Sequence, residues 1–198
     1  ALFIALSAIT GVWLMFRQPE TLAAENRKPL RVKTIVGDFK EVLSNRIALG
    51  YTASIGMVSG AFVAYLATAQ PIFQEQYGLG AQFPAYFAIL SLAIGVASYL
   101  NSRLVMKWGM RWLSFWSLVS IIGVSVVFAL FLYFSQAEPS LWLFMLYLMV
   151  ILFFNGILFG NVTSMAMEPL GHIAGVGAAV VGSLSTFISV PFGVLVGH

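Results

Sequence analysis

The residues best suited to proton chemistry are Glu168 and His172, four positions apart in the run MEPLGHIAG (Met167–Gly175). On an α-helix that spacing places both side chains on one face, and an ordinary histidine titrates near ~6.5, within reach of cytoplasmic pH. One reading of the pair is a gate or proton relay. The other is structural: Pro169 suits a first helical turn, and the Glu168 carboxylate is favourable to the dipole at a helix start. Binding chemistry has a different signature. Val58, Phe62 and Tyr65 recur at i, i+4 and i+7, as do Phe87, Ser91 and Ile94, the spacing of one helix face. Tyr147, Ile151 and Asn155 lie near one face of a third stretch. An amide such as Asn155 at mid-membrane must find a partner, on another helix or on a ligand.

Other chemistries lack their residues. The chain has no cysteine, so disulfides, thiolate metal sites and cysteine nucleophiles are excluded. His172 and His198 form no metal set with carboxylates at ligand spacing. The single aspartate, Asp38, sits in a polar linker, and no Ser-His-Asp arrangement is suggested. No glycine loop with Lys-Ser/Thr is present to cradle phosphates. No enzyme activity, metal or cofactor is expected.

The elements that position these residues follow from composition. Of 198 residues, 60% are hydrophobic and only 9% charged, against ~25% charged in a soluble domain. A spanning helix needs ~20 mostly apolar residues. Six stretches qualify or nearly so: 1–16, 47–70, 83–100, 112–134, 141–163 and 173–198, none containing Lys, Arg, Asp or Glu. Lipid cannot satisfy an open strand edge, so these are helices. The run LWLFMLYLMVILFF (Leu141–Phe154) lacks the apolar/polar alternation of a barrel strand. Gly56/Gly60, Gly156/Gly160 and Gly171/Gly175 have the spacing for close helix packing, and Pro191 is expected to kink the last span.

All ten Lys and Arg lie in two connections, 17–46 and 101–111. This positive-inside pattern assigns those loops to the cytoplasm, with 164–172 following by parity. The 17–46 stretch mixes seven basic with four acidic residues. It reads as a linker with a short amphipathic helix, Val32–Val42. Membrane lipid is an expected partner of so basic a segment; nucleic acid is not. One span, a long linker and five closely spaced spans suit a transporter built from two helical halves.

Specific motifs then resemble a known family. RQPETL (Arg17–Leu22) resembles the exit from the sixth span of the major facilitator superfamily. NSRLVMKWGMRWL (Asn101–Leu113) resembles the second-half copy of its loop motif, with Leu104, Lys107, Gly109 and Arg111 fitting, but Ser102 at the usual Gly and Met106 at the usual Asp. FQEQYGL (Phe73–Leu79) and MEPLGHIAG resemble the bicyclomycin-resistance and chloramphenicol-efflux (Bcr/CflA) branch of drug exporters.

The resemblance implies an all-α transmembrane, major-facilitator-type helical bundle of about six spans, running from the end of span 6 through span 11 of a 12-span fold. Residues 1–16 would end the N-terminal-half bundle, 17–46 form the linker, and 47–198 form the C-terminal-half bundle. It also implies that the seventh, eighth, tenth and eleventh spans border a central cavity while the ninth, 112–134, faces lipid. Phe62, Tyr65, Phe87, Ser91 and Asn155 are then the expected substrate-binding residues. The expected function is proton-coupled antiport of drug-like molecules by alternating access in a bacterial inner membrane. The missing N-terminal half would be the structural partner and carry the coupling carboxylate, and the complete protein would be a monomer. Transport of a natural metabolite, such as a sugar or amino acid, is the alternative.

Overall fold

A computed structural model describes residues 2–18 and 31–196, with side chains to residue 191. The described residues are almost entirely helical, with no strand among them. They divide into two units, Ala1–Val36 and Gly37–His198.

The first unit carries α1 (Leu2–Arg17), 16 residues of almost unbroken apolar sequence. At 1.5 Å per residue it is ~24 Å long, short of the ~30 Å hydrocarbon core. The Arg17 guanidinium lies 5.6 Å from the centre of the Trp13 ring. Beyond Gln18, the motif beginning at Arg17 lies outside the described residues. The amphipathic segment of the linker is helix α2 (Val32–Ser44), two residues longer than its periodicity suggested. Its one buried residue, Val42, joins the core of the second unit.

The second unit is built on α3 (Arg46–Pro71), α4 (Phe83–Trp108), α5 (Met110–Ser135), α6 (Leu141–Met167) and α7 (Ala174–Val196). Asn45 starts α3 by accepting from the backbone N–H of Ile47 at 3.1 Å and of Ala48 at 3.0 Å. These donors have no partner within the helix, which is why Asn suits that position. Among the described residues, four stretches are long and apolar enough to cross a membrane: Arg46–Gln76, Gly80–Trp108, Met110–Ser135 and Leu141–Pro191. The last has 51 residues, ~76 Å if straight, more than twice the ~30 Å hydrocarbon core. A 3-10 turn at Glu168–Ile173 divides it into α6 and α7.

Several boundaries differ from the apolar runs. The helical path does not stop at Gln70–Pro71 but continues in a π-turn, Ile72–Gln76. Helix α4 runs eight residues beyond 83–100, so Asn101–Lys107 is helix and not loop. Polar residues do not end a helix; loss of backbone geometry does. Gly109, at φ +77°, ends it, a conformation that glycine adopts without a Cβ penalty. Lys107 in the last turn complements the helix dipole. Helix α7 continues through Pro191 to Val196.

Helix α6 lies at the centre of this unit and packs on α3, α4 and α5, while α7 packs chiefly on α3. Between apolar helices in lipid, close van der Waals packing replaces the hydrophobic drive. Gly56 shows how close: a Cβ there would lie 2.6 Å from Cβ of Ile188 on α7 and 3.1 Å from the Ser185 carbonyl. Gly156 gives α6 a similar approach to Ala97 and Ile94 of α4. Gly171 and Gly175 meet nothing within 4 Å, so their spacing reflects no close contact here. Helix α5, the expected ninth span, is peripheral and buries only Leu113, Ser114 and Ser117.

Candidate functional site

An open groove of about 320 Å³ lies between α3, α4 and α6. Ser59, Phe62 and Val63 form one wall, Ile94 and Ser98 the second, and Asn155, Gly156, Phe159 and Gly160 the third. Each set sits near the middle of its helix, and no charged residue lines the groove. Gly156 admits α4 closely enough to form the floor. The Asn155 side chain is half-buried and makes no hydrogen bond among the described residues, so its donors and acceptor face the groove.

The groove contains two of the five expected binding residues, Phe62 and Asn155. Two more continue it as an aromatic ladder. The Phe62 and Tyr65 rings are 5.9 Å apart, and Tyr65 stacks on Phe87 at 6.2 Å with an interplanar angle of 3°. Phe83 extends the ladder at 5.6 Å from Phe87. Offset aromatic contacts at these separations are favourable and rigid. Ser91 is exposed and donates to the Phe87 carbonyl at 2.9 Å; it does not line the groove. The hydroxyl found its acceptor on its own helix, as serine does in apolar surroundings.

Ser59 and Ser98 line the groove without having been singled out. Ser98 lies seven residues after Ser91, on the continuation of the Phe87–Ser91–Ile94 stripe, so the periodicity held that signal. Tyr147 goes elsewhere. Its ring stacks on Phe128 of α5 at 4.1 Å, because a drift of ~100° per residue separates Tyr147 from Asn155 by ~80° around the helix.

A polar contact fixes the two helices behind the groove. The Asn161 amide donates to Asn101 Oδ1 at 2.8 Å, and Asn101 returns the bond to Asn161 Oδ1 at 3.2 Å. Asn161 is only 2% exposed. The reciprocal pair satisfies a polar group that apolar surroundings would otherwise penalise. It was not visible in sequence, since the partners are 60 residues apart.

Glu168 and His172 do not share a face. They lie in a 3-10 turn, where ~3 residues per turn put positions four apart on different sides. His172 Nε2 instead meets Glu41 Oε1 of α2 at 2.6 Å, with both side chains about half exposed. Among the described residues, no group of three or more His, Cys, Asp or Glu is placed to hold a metal.

At the other end of the unit, the Tyr77 hydroxyl donates to the Pro139 carbonyl at 2.9 Å, joining two turns. Burial, followed by the nearby Glu138 carboxylate, raises the Tyr77 phenol above its ordinary pKa. The phenol is therefore held as the neutral donor this contact needs.

Long apolar helices packed on one another, four of them able to cross a membrane among the described residues, define an α-helical membrane protein. The chain belongs to the Major Facilitator Superfamily, whose family model it matches over residues 1–194. It is 26% identical over 185 residues to an uncharacterized MFS-type transporter, YdgK of Bacillus subtilis, covering 93% of this chain and 45% of the relative. It is 23% identical over 212 residues to a bicyclomycin resistance protein homolog of Haemophilus influenzae, covering 99% of this chain and 50% of the relative. The chain thus spans about half the length of these curated relatives. No solved structure matches it at a significant level.

Proposed function

We propose that this chain forms one wall of a multidrug exporter that exchanges cytoplasmic drug-like molecules for protons by alternating access. The observation that carries the reading is the groove at Phe62 and Asn155. It offers an aromatic face, two hydroxyls and an amide without a partner among the described residues, and no charge. Largely apolar sites with a few orienting polar groups suit amphipathic drugs; a sugar or amino acid needs more hydrogen bonds or a counter-charge. The similarity to a bicyclomycin resistance protein homolog favours the same class.

In this reading Phe62, Tyr65 and Phe87 stack the substrate and Asn155 orients it. Ser91 has a lesser part, at the edge of the ladder. No carboxylate lies within the apolar stretches, so proton coupling rests on residues outside them. The basic end faces the cytoplasm of a bacterial inner membrane. The gate assigned to Glu168 and His172 passes to His172 and Glu41, whose contact ties α2 to the turn between α6 and α7.

The test is bicyclomycin accumulation and drug-dependent proton release in cells and vesicles bearing the whole transporter. Asn155→Leu and Phe62→Ala, checked for normal insertion, are expected to reduce drug export at least about tenfold, the loss of one well-placed polar or aromatic contact. Export at the unaltered rate in both variants would reject the site. Uptake of a sugar or amino acid with no drug export would favour the metabolite reading.

A further inference from the structure

The helices around the candidate groove treat their hydroxyls and amides in two ways. On α3, Thr52, Ser54 and Thr68 each donate to a carbonyl four residues back on the same helix. Ser91 and Ser102 of α4 and Thr163 and Ser164 of α6 likewise donate to a carbonyl three or four residues back. Asn101 and Asn161 satisfy each other. Such a carbonyl is always at hand for a hydroxyl in an apolar helix. Among the Ser, Thr and Asn side chains of these three helices, Ser59, Ser98 and Asn155 make no hydrogen bond to the described residues. All three line the groove. Ser59 and Asn155 are half-buried and Ser98 is exposed, so a ligand can reach each of them.

The trio comes from three different helices. Gly156 admits α4 so closely that a Cβ there would lie 3.2 Å from the Ala97 Cβ, and Asn155 and Ser98 adjoin that contact in sequence. Ser59 stands six residues before Tyr65, ~9 Å nearer the basic start of α3. The groove therefore has a polar end at the trio, and the Phe62–Tyr65–Phe87 ladder leads away from it. Each hydroxyl can donate and accept, and the amide does both. No charge lines the groove to favour an ionised group.

We infer that Ser59 and Ser98 are specificity residues of the proposed drug site. With Asn155 they receive a hydroxyl at the polar end of a neutral substrate whose apolar end lies on the ladder. The inference rests on the drug-export reading of the groove. A site built to hydrogen-bond a substrate hydroxyl rejects the analogue lacking it, because its own polar groups are left unpaired. Here each serine can fall back on its own helix, so the discrimination is about fivefold per serine, the worth of one neutral hydrogen bond. Alanine in place of either serine breaks no hydrogen bond among the described residues, so the fold is expected to tolerate the change.

The test is export of thiamphenicol and florfenicol by cells bearing the whole transporter. These neutral drugs share one frame, and a primary hydroxyl of the first is fluorine in the second. Ser59→Ala and Ser98→Ala are each expected to lower thiamphenicol export relative to florfenicol export about fivefold. Ser98→Thr keeps a hydroxyl and is expected to hold the native ratio. Ser54→Ala removes a hydroxyl that is bonded within α3 and lies outside the groove, and is expected to leave the ratio unchanged. A fall in only one alanine variant strikes the other serine from the site. An unchanged ratio in both, or equal loss of the two drugs, overturns the inference; if Asn155→Leu still lowers export of both drugs, the export reading stands without it. Native protein that exports bicyclomycin but neither of the pair also overturns the inference alone. Export of none of the three overturns the export reading with it.

Discussion

The reciprocal amide pair between α4 and α6 makes the sharpest quantitative prediction. Asn161→Leu keeps roughly the same volume and leaves the Asn101 amide facing an apolar helix. An orphaned polar group of this kind costs ~1–3 kcal/mol. Asn101→Leu does the same to Asn161, which is 2% exposed and has less access to water, so its cost lies toward the upper end. The double variant removes both amides and leaves nothing unsatisfied. Two interhelical bonds, at 2.8 and 3.2 Å, at ~0.6 kcal/mol each give a coupling of ~1.2 kcal/mol. The double variant is therefore expected to be destabilised by about that much less than the sum of the single variants. The assay is reversible unfolding in mixed detergent and SDS micelles, followed by tryptophan fluorescence. A coupling under ~0.3 kcal/mol, the scatter of independent sites, would refute the pairing. Substrate affinity should fall in the single variants in step with stability, since the pair holds the helices behind the groove and does not line it.

Gly56→Ala is expected to destabilise the bundle by ~1–3 kcal/mol, because its Cβ would meet the rigid Cβ of Ile188. Gly95→Ala, with nothing within 4 Å, should be neutral or slightly stabilising; equal melting temperatures for the two would disprove the close α3–α7 contact. Glu41→Gln and His172→Ala are each expected to raise hydrogen exchange in the second half of α2, about residues 37–44, and unchanged protection would show that their contact does not hold the helix. Tyr77 titrates above its ordinary value in the folded state, so its contribution is complete below the unfolded pKa of ~10 and declines as pH rises through the folded value. The native protein should lose stability in that alkaline window by more than Tyr77→Phe does, as read from melting temperatures across pH; parallel curves would contradict it.

Legibility in the sequence followed the range of the interaction. The apolar runs gave away the helices, and the period of Val32–Val42 gave away α2, because both depend on residues within a few turns. The Phe62–Tyr65–Phe87 ladder was half legible: each stripe was readable on its own helix, but not that the two would stack. Helix ends were misread where polarity and backbone geometry disagree. Asn101–Lys107 is polar yet helical, and one glycine at positive φ ends the run. Glu168 and His172 were paired on an assumed α-helical pitch, and a 3-10 turn took that pairing away.

The sequence by itself determined that this is an all-helical membrane protein, where its apolar runs lie, and that its basic residues gather in two connections. Those properties follow from solvation and local hydrogen bonding, which act residue by residue along the chain. Only the tertiary structure decided which polar residues meet. Asn161 closes on Asn101 while Asn155 is left facing a groove, and His172 reaches Glu41 across 131 positions. The physical reason is that the chemistry of an amide or imidazole is the same in every location. What differs is the neighbour that helix packing brings within 3 Å, and packing is set by glycines and side-chain shapes on several helices at once.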